Sequence, residues 1–307
     1  METRRIGSLD VSLAGLGCNN FGMRIDEDAS ARVVDAAIDA GITFFDTADI
    51  YGGTKSEGFL GRALASRRKA VVIATKFGIR IDATRYGARP EYVRQAADDS
   101  LRRLGTDYID LYQLHQPDPA VPIADTLGAL DDLVRAGKVR EIGCSNFSAA
   151  QLREAHAATP AGAALFVSVQ NEYSLLHREP ELEVLPECER LGLAFLPYFP
   201  LASGLLTGKY ARGAAAPAGT RLSQDWAASR FMSDERLATV DALATWARAR
   251  ERTVLELAVS WLASHPAVSS VIAGATSPEQ VRANAAAALW RLTAAERAEI
   301  DAIVQNR

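Results

Sequence analysis

Short apolar runs alternate with amphipathic stretches along nearly the whole chain. LAGLG (13–17), ITFFDT, VVIATK, IDLYQLH, VREIG, LFVSVQ, LAFLPY and SSVIAG are apolar at most positions. Such continuous runs predict parallel strands covered by helices. Between them, ASARVVDAAIDA, PEYVRQAADDSLRRL, IADTLGALDDLVRA and ELEVLPECERL carry apolar residues at helical spacing. Gly41, Gly105, Gly137 and Gly192 follow these stretches and precede strands. That is where a helix ends in a left-handed residue that glycine adopts most cheaply. Pro90 suits the first turn of its helix, where a missing N–H costs nothing. Two short alternating runs around Gly7-Ser8 predict a small hairpin leading into the first strand, VSLAGLG.

Eight strand–helix units in 307 residues predict a closed (β/α)8 TIM barrel rather than an open doubly wound sheet. No G-x-G-x-x-G follows the first strand, which argues against a dinucleotide-binding open sheet. Without a break in composition, residues 1–307 are expected to form one domain. The longest irregular stretch runs from Pro200 to about Met232, after the seventh strand. A loop of that length is expected to be functional. In a barrel it belongs to the active face, which the loops after the strand C-termini build.

Three of the strands end in a chemically useful residue. ITFFDT runs out through Asp46, VVIATK closes on Lys76, and IDLYQLH closes on His115. Tyr51 follows in the Gly-rich loop of DTADIYGGTKSEGFLGRAL, whose helix should begin near Ser56. Each residue alone reads as an ordinary rim or turn residue. Together they form a proton relay. A lysine cation favours the phenolate and is expected to lower the tyrosine pKa from about 10 toward neutrality. The aspartate keeps that lysine charged and placed. Such a phenol donates a proton to a developing alkoxide, and a neutral histidine orients the same carbonyl oxygen. The electron source must then be a cofactor.

Composition narrows the field. A net charge of −4 argues against a nucleic-acid binder. No run of about 18 apolar residues suggests a membrane span, and METRRIGSLDVSLAGLG lacks the apolar core of a signal peptide. Cys18, Cys144 and Cys188 form no C-x-x-C pair. They fit a reducing, cytoplasmic setting with no metal site. Cys18 and Cys144 have no evident base partner and read as inert.

The segments DTADIYGGTKSEGFLGRAL, DSLRRLGTDYIDLYQLHQPD and VREIGCSNFS together resemble the aldo-keto reductase superfamily over essentially the whole chain. The likeness extends to its bacterial members and its potassium-channel β-subunit-like branches. It implies an NAD(P)H-dependent reductase that turns an aldehyde or ketone into an alcohol. Tyr51 would be the general acid, Lys76 its tuner, Asp46 the lysine's partner, and His115 the group that orients the carbonyl. Ser145, Asn146 and Gln170 match the residues that bind the nicotinamide carboxamide, and Tyr198 the aromatic that stacks on the ring. Pro200, Leu201, Ser203, Gly204, Leu205 and Lys209 resemble the pyrophosphate loop. Gly274, Thr276, Ser277, Gln280 and Asn284 resemble the adenosine turn.

Ser277-Pro278-Glu279-Gln280 also reads independently as a capping box, hence a helix start able to hold an anion. No Arg or Lys stands between Ile272 and Val281, and Ala283 occupies a position where relatives often place Glu. NADPH is therefore the expectation from the resemblance, with Arg221 a long-range helper and NADH not excluded. Asn20, Phe21, Phe77 and Trp226 are candidates for the substrate pocket, and Asn19, Met23 and Phe231 read as pocket or packing. Two other classes stay open on sequence alone. One is a redox-sensing NADPH-binding protein with little turnover, like the channel β subunits. The other is an aldolase-like barrel using Lys76 as a Schiff base. Neither the substrate nor the oligomeric state is written in the sequence.

Overall fold

A computed structural model describes residues 1–210, 214, 216–223, 228–229 and 231–305. A hairpin opens the chain: β1 (Thr3–Ile6) pairs antiparallel with β2 (Leu9–Ser12). Then come β3 (Ala14–Gly17), β4 (Phe44–Asp46), β5 (Val72–Phe77), β6 (Ile109–Leu114), β7 (Val139–Ser145), β8 (Phe166–Glu172), β9 (Ala194–Tyr198) and β10 (Val271–Gly274). These eight form one parallel sheet in the order β10-β3-β4-β5-β6-β7-β8-β9. The ring closes where Phe195 N donates to Ala267 O (2.7 Å) and Ser269 N to Phe195 O (3.1 Å). The (β/α)8 barrel and its leading hairpin are as the hydrophobic pattern predicts. VSLAGLG, read as one strand, is divided: its first residues complete the hairpin and its last four enter the barrel.

The outer layer includes α1 (Glu27–Asp39), α2 (Lys55–Leu64), α3 (Pro90–Leu104), α4 (Ile123–Arg135), α5 (Ala149–Ala158) and α6 (Val184–Leu191). After the long loop follow α7 (Asp234–Arg248), α8 (Val254–Ala263), α9 (Pro278–Ala287) and α10 (Ala294–Gln305). Among the described residues no helix is long and apolar enough to cross a membrane. Helices stop where glycine permits it. Gly105 (φ 65°) and Gly192 (φ 68°) take the left-handed conformation directly after α3 and α6. Pro90 stands at the first position of α3.

Two hydrophobic clusters follow from the period-two alternation of strand side chains. Phe44, Val72, Ala74, Leu111, Leu196 and Ile272 point into the barrel, and the hairpin's Ile6, Leu9 and Val11 join them and plug one end. Phe45, Ile73, Tyr112 and Phe195 point outward into the helix layer. By the same parity, Asp46 follows Phe44 inward, Lys76 follows Ala74, and Gln113 follows Leu111. The barrel's apolar interior therefore ends in a polar layer at the C-terminal rim.

The helix layer is close-packed at glycine. A Cβ on Gly61 of α2 would lie 2.2 Å from the carbonyl oxygen of Leu104 on α3. Backbone cannot yield as a flexible side chain does, so Gly61→Ala is expected to cost about 1–3 kcal/mol. Thermal unfolding of the variant would show this as a lowered Tm, with no change in any ligand affinity per folded molecule.

Candidate active site

The segment after β4 stays fastened to β5. Thr47 N donates to Ala74 O (2.8 Å) and Asp49 N to Lys76 O (3.0 Å). The chain then turns through Tyr51, whose N–H bonds Ala48 O (3.2 Å), into Gly52 (φ 59°) and Gly53 (φ 62°). Gly52 is irreplaceable in shape: a Cβ there would sit 2.2 Å from Phe21 O. This turn places the Tyr51 phenol beside the Lys76 ammonium.

Lys76 is wholly buried, and its three N–H donors each have a target. Nζ donates to Asp46 Oδ2 (2.6 Å), Thr47 O (2.9 Å) and Tyr51 Oη (3.4 Å). Asp46 Oδ1 accepts from Gln170 Nε2 (2.8 Å) and Gln113 Nε2 (3.4 Å). His115 lies edge-on to Tyr51, with ring centroids 5.8 Å apart. Burial, and then the Lys76 charge, push its pKa well below that of a free imidazole. It is therefore neutral at physiological pH and available as a hydrogen-bond partner.

The sequence expectation fails on the tyrosine's acidity. Burial raises the Tyr51 pKa, and Lys76 only partly opposes this because the Asp46 charge beside it acts in the opposite sense. The lysine is half of an ion pair rather than a free cation. Tyr51 thus stays protonated across the neutral range, the form a proton donor needs.

Above these groups opens a cavity of about 650 Å³. Tyr51, His115, Asp46 and Gln170 line its floor. On one wall Ser145 Oγ donates to Gln170 O (2.6 Å), Asn146 Nδ2 to His115 O (2.9 Å), and Tyr198 Oη to Asn146 Oδ1 (2.8 Å). On another, Ser203 Oγ is buried without a hydrogen-bond partner. Gly204 (φ 97°) lies under Lys209, whose Nζ would be 3.2 Å from a Cβ there. An orphaned hydroxyl and an ammonium on one wall suit an anionic ligand, and the elongated set of walls suits a dinucleotide.

A sequence model described as the Aldo/keto reductase family matches residues 14–305. The chain belongs to the aldo/keto reductase family. Its members are NAD(P)H-dependent oxidoreductases acting on carbonyl and alcohol groups, and this chain is an enzyme of that kind. It is 34% identical to the aldo-keto reductase YhdN of Bacillus subtilis, over 97% of this chain and 91% of that protein. It is 35% identical to the probable aldo-keto reductase 1 of Glycine max, over 95% of this chain and 85% of that one. Among solved structures it resembles the glycerol dehydrogenase AKR11B4 from Gluconobacter oxydans (TM-score 0.86, 32% identity, covering 99% and 95% of the two chains). It also resembles the holo form of aldo-keto reductase AKR11C1 from Bacillus halodurans (TM-score 0.83, 33% identity, covering 99% and 96%).

The remaining positions singled out in the sequence divide clearly. Pro200, Leu201, Ser203, Gly204, Lys209, Arg221, Gly274, Thr276, Gln280 and Asn284 line the cavity, and so does Asn20. Leu205 does not; it is buried in the helix layer. Phe21 and Phe77 are also corrected. Both are wholly buried in that layer. Parity explains Phe77, which follows the inward-pointing Lys76 and so turns outward to stack on Tyr112 at 4.7 Å. Trp226 falls outside the described residues. Phe231 is buried edge-on to Phe199, as local packing. Cys18 and Cys144 are buried, and burial pushes both thiols well above their usual range.

The expected capping box at α9 is half formed. Ser277 Oγ accepts from Gln280 N (3.4 Å), which occupies it as a cap. Ser277 does not line the cavity. Gln280 Oε1 turns past Ser277 to accept from Thr276 N (2.9 Å) and Thr276 Oγ1 (3.2 Å). The box at Ser148, by contrast, closes in full with Gln151.

Sequence reading missed Gln113, though its place two residues before His115 on one strand could have found it. It also missed Arg24, which lines the cavity from an irregular loop without a pattern. Asp49 went unremarked as well. It is 1% exposed, and neither carboxylate oxygen meets a donor at good geometry. Burial, and next the negative charge of Glu57, push its pKa up to about 7. The folded state therefore holds the Asp49 proton more tightly than the unfolded chain does. Ionisation penalises folding, and the penalty grows from about pH 4 and is complete above about pH 7. Asp49→Asn removes it, so Tm measured across pH should show the variant gaining on wild type from pH 5 to pH 8. The gain has an upper bound of about 4 kcal/mol. Parallel pH curves for the two proteins would refute this.

Proposed function

We propose that this oxidoreductase reduces an aldehyde or ketone to an alcohol with NADPH, Tyr51 delivering the proton. The observation that carries this reading is the Lys76 ammonium, which bridges the Asp46 carboxylate and the Tyr51 phenol under the cavity. A bound dihydronicotinamide would supply the hydride to the carbonyl carbon. The chain's own residues do the rest. His115, neutral, bonds the carbonyl oxygen and aims it at Tyr51. Tyr51 gives its Oη proton to that oxygen as negative charge builds there, and Lys76 stabilises the resulting phenolate. Asp46 does not touch substrate; it holds Lys76 charged and placed, and Gln113 and Gln170 hold Asp46. Water entering after the alcohol leaves returns the proton to Tyr51.

The cofactor reading has a structural fit as support. Ser145, Asn146 and Gln170 offer amide and hydroxyl groups for the carboxamide, and Tyr198 offers a ring beside them. Lys209 and the orphaned Ser203 hydroxyl suit the pyrophosphate. The N-terminal end of α9, with Thr276, suits a 2′-phosphate through free N–H groups and the helix dipole. No basic side chain joins it from that turn, so NADPH is preferred over NADH by a modest margin.

Fluorescence titration with NADPH and NADH, then NADPH oxidation against a panel of aldehydes and ketones, tests the whole reading. Tyr51→Phe is expected to lower kcat by about 10²–10⁴ while leaving NADPH affinity within about twofold of wild type. An equal loss of turnover and nucleotide affinity would remove Tyr51 from its role. Tight NADPH binding by wild type without turnover on any carbonyl would replace the reductase reading with that of a nucleotide sensor.

A further inference from the structure

Two arginines converge on the cavity from loops far apart in sequence. Arg24 stands on the loop after β3, and Arg221 lies in the long loop after β9. Each bonds the other's loop: Arg24 Nη2 donates to Gly219 O (2.5 Å), and Arg221 Nη2 to Asn20 Oδ1 (3.0 Å). Both line the cavity. Among the described residues, no Asp or Glu forms a salt bridge with either. This is unusual within the chain, where Arg62, Arg67, Arg68, Arg103, Arg140 and Arg178 each have a carboxylate.

Two like charges brought together without a counter-ion are unfavourable. Burial and the neighbouring Arg24 charge both pull the Arg221 pKa down. An arrangement that costs free energy in the empty protein is relieved when an anion enters between the two groups. The pair also lies on the Tyr51 side of the cavity. The loop bearing Arg24 packs directly on the Tyr51 loop, for a Cβ on Gly22 would lie 3.2 Å from Gly52 O. Arg221 is near enough to Tyr51 to feel its charge. The ammonium suited to the pyrophosphate, Lys209, is a separate group over Gly204.

We propose that Arg24 and Arg221 form an oxyanion site beside Tyr51, which makes the preferred substrate a carbonyl compound bearing a carboxylate or phosphate group. This rests on the reductase reading of the cavity. Guanidinium groups suit both anions because their planar fork of donors matches two oxygens at once. Arg221 then acts on the substrate's anionic group rather than on the distant 2′-phosphate of the cofactor.

The test compares a short aldehyde bearing a terminal carboxylate with its primary amide, in wild type, Arg24→Gln and Arg24→Lys. Wild type is expected to favour the acid in kcat/KM. Arg24→Gln should lower the acid-to-amide ratio at least about tenfold, the scale of one lost charge-assisted hydrogen bond, mainly through KM. Arg24→Lys should restore part of it. Affinities for NADPH and NADH, measured by fluorescence on the same proteins, separate the alternatives. If Arg24→Gln weakens NADPH but not NADH, the cation serves the cofactor's 2′-phosphate and the proposal is overturned. An unchanged acid-to-amide ratio overturns it too, while the reductase reading survives. Failure of wild type to bind either nucleotide would instead bring down the reductase reading, and this proposal with it.

Discussion

The buried contact between Lys76 and Asp46 is the constraint on which the rest of the site depends. An ammonium with no exposure to solvent has lost its hydration, a cost of several kcal/mol in a protein interior. The cost is met only because every donor is used: Asp46, the Thr47 carbonyl and the Tyr51 hydroxyl take one each. Asp46 in turn has its second oxygen filled by Gln170 and Gln113. Removing either charge would strand the other, which is more expensive than never having buried the pair. The same arithmetic explains why the phenol's acidity is governed by desolvation. Seen from Tyr51, the ion pair is a dipole, and its two ends largely cancel.

The barrel makes this contact affordable by geometry that precedes any chemistry. Strands in register across a closed ring bring their inward side chains into layers. Phe44, Val72, Ala74 and Leu111 fill the apolar interior, so the next inward position on each strand falls at the rim. Asp46, Lys76 and Gln113 occupy those positions on three successive strands, and Gln170 supplies the fourth from β8. The Tyr51 phenol comes from the loop instead, because a strand side chain cannot reach over the top of the layer. That loop is held by backbone bonds to β5 and by the approach of Gly52 to Phe21.

What the sequence disclosed and what it hid follow the same physics. Asp46, Lys76 and His115 were legible because each is a lone polar residue ending an apolar run, and the strand order could be counted from the helical stretches between them. Parity was equally available, and it would have corrected Phe77 and found Gln113. Other features depend on distances that no pattern carries. Gln280 bonds Thr276 rather than the Ser277 backbone because the side chain reaches a nearer donor, so the capping box stays half built. Tyr51's pKa rises because Asp46 sits as close to the problem as Lys76 does, a matter of angles rather than composition. Arg24 belongs to a turn of irregular backbone, and only the closing of the ring brings it opposite Arg221.

Charge placement ties the site to the whole molecule. With a net charge of −4, the chain as a whole repels polyanions. Most of its arginines are spent on neighbouring carboxylates at the surface, where such pairs contribute little to stability but neutralise the field. The cavity departs from this rule, since Arg24, Arg221 and Lys209 line it without salt bridges among the described residues. Local positive potential inside an otherwise negative envelope favours a small anion that can enter a cleft over a long polyanion that must lie across the surface. Low-dielectric walls strengthen the effect, because field lines that would spread in water are confined to the opening. The discrimination needs no contact with any base or lipid; it follows from where the acids are and where they are not.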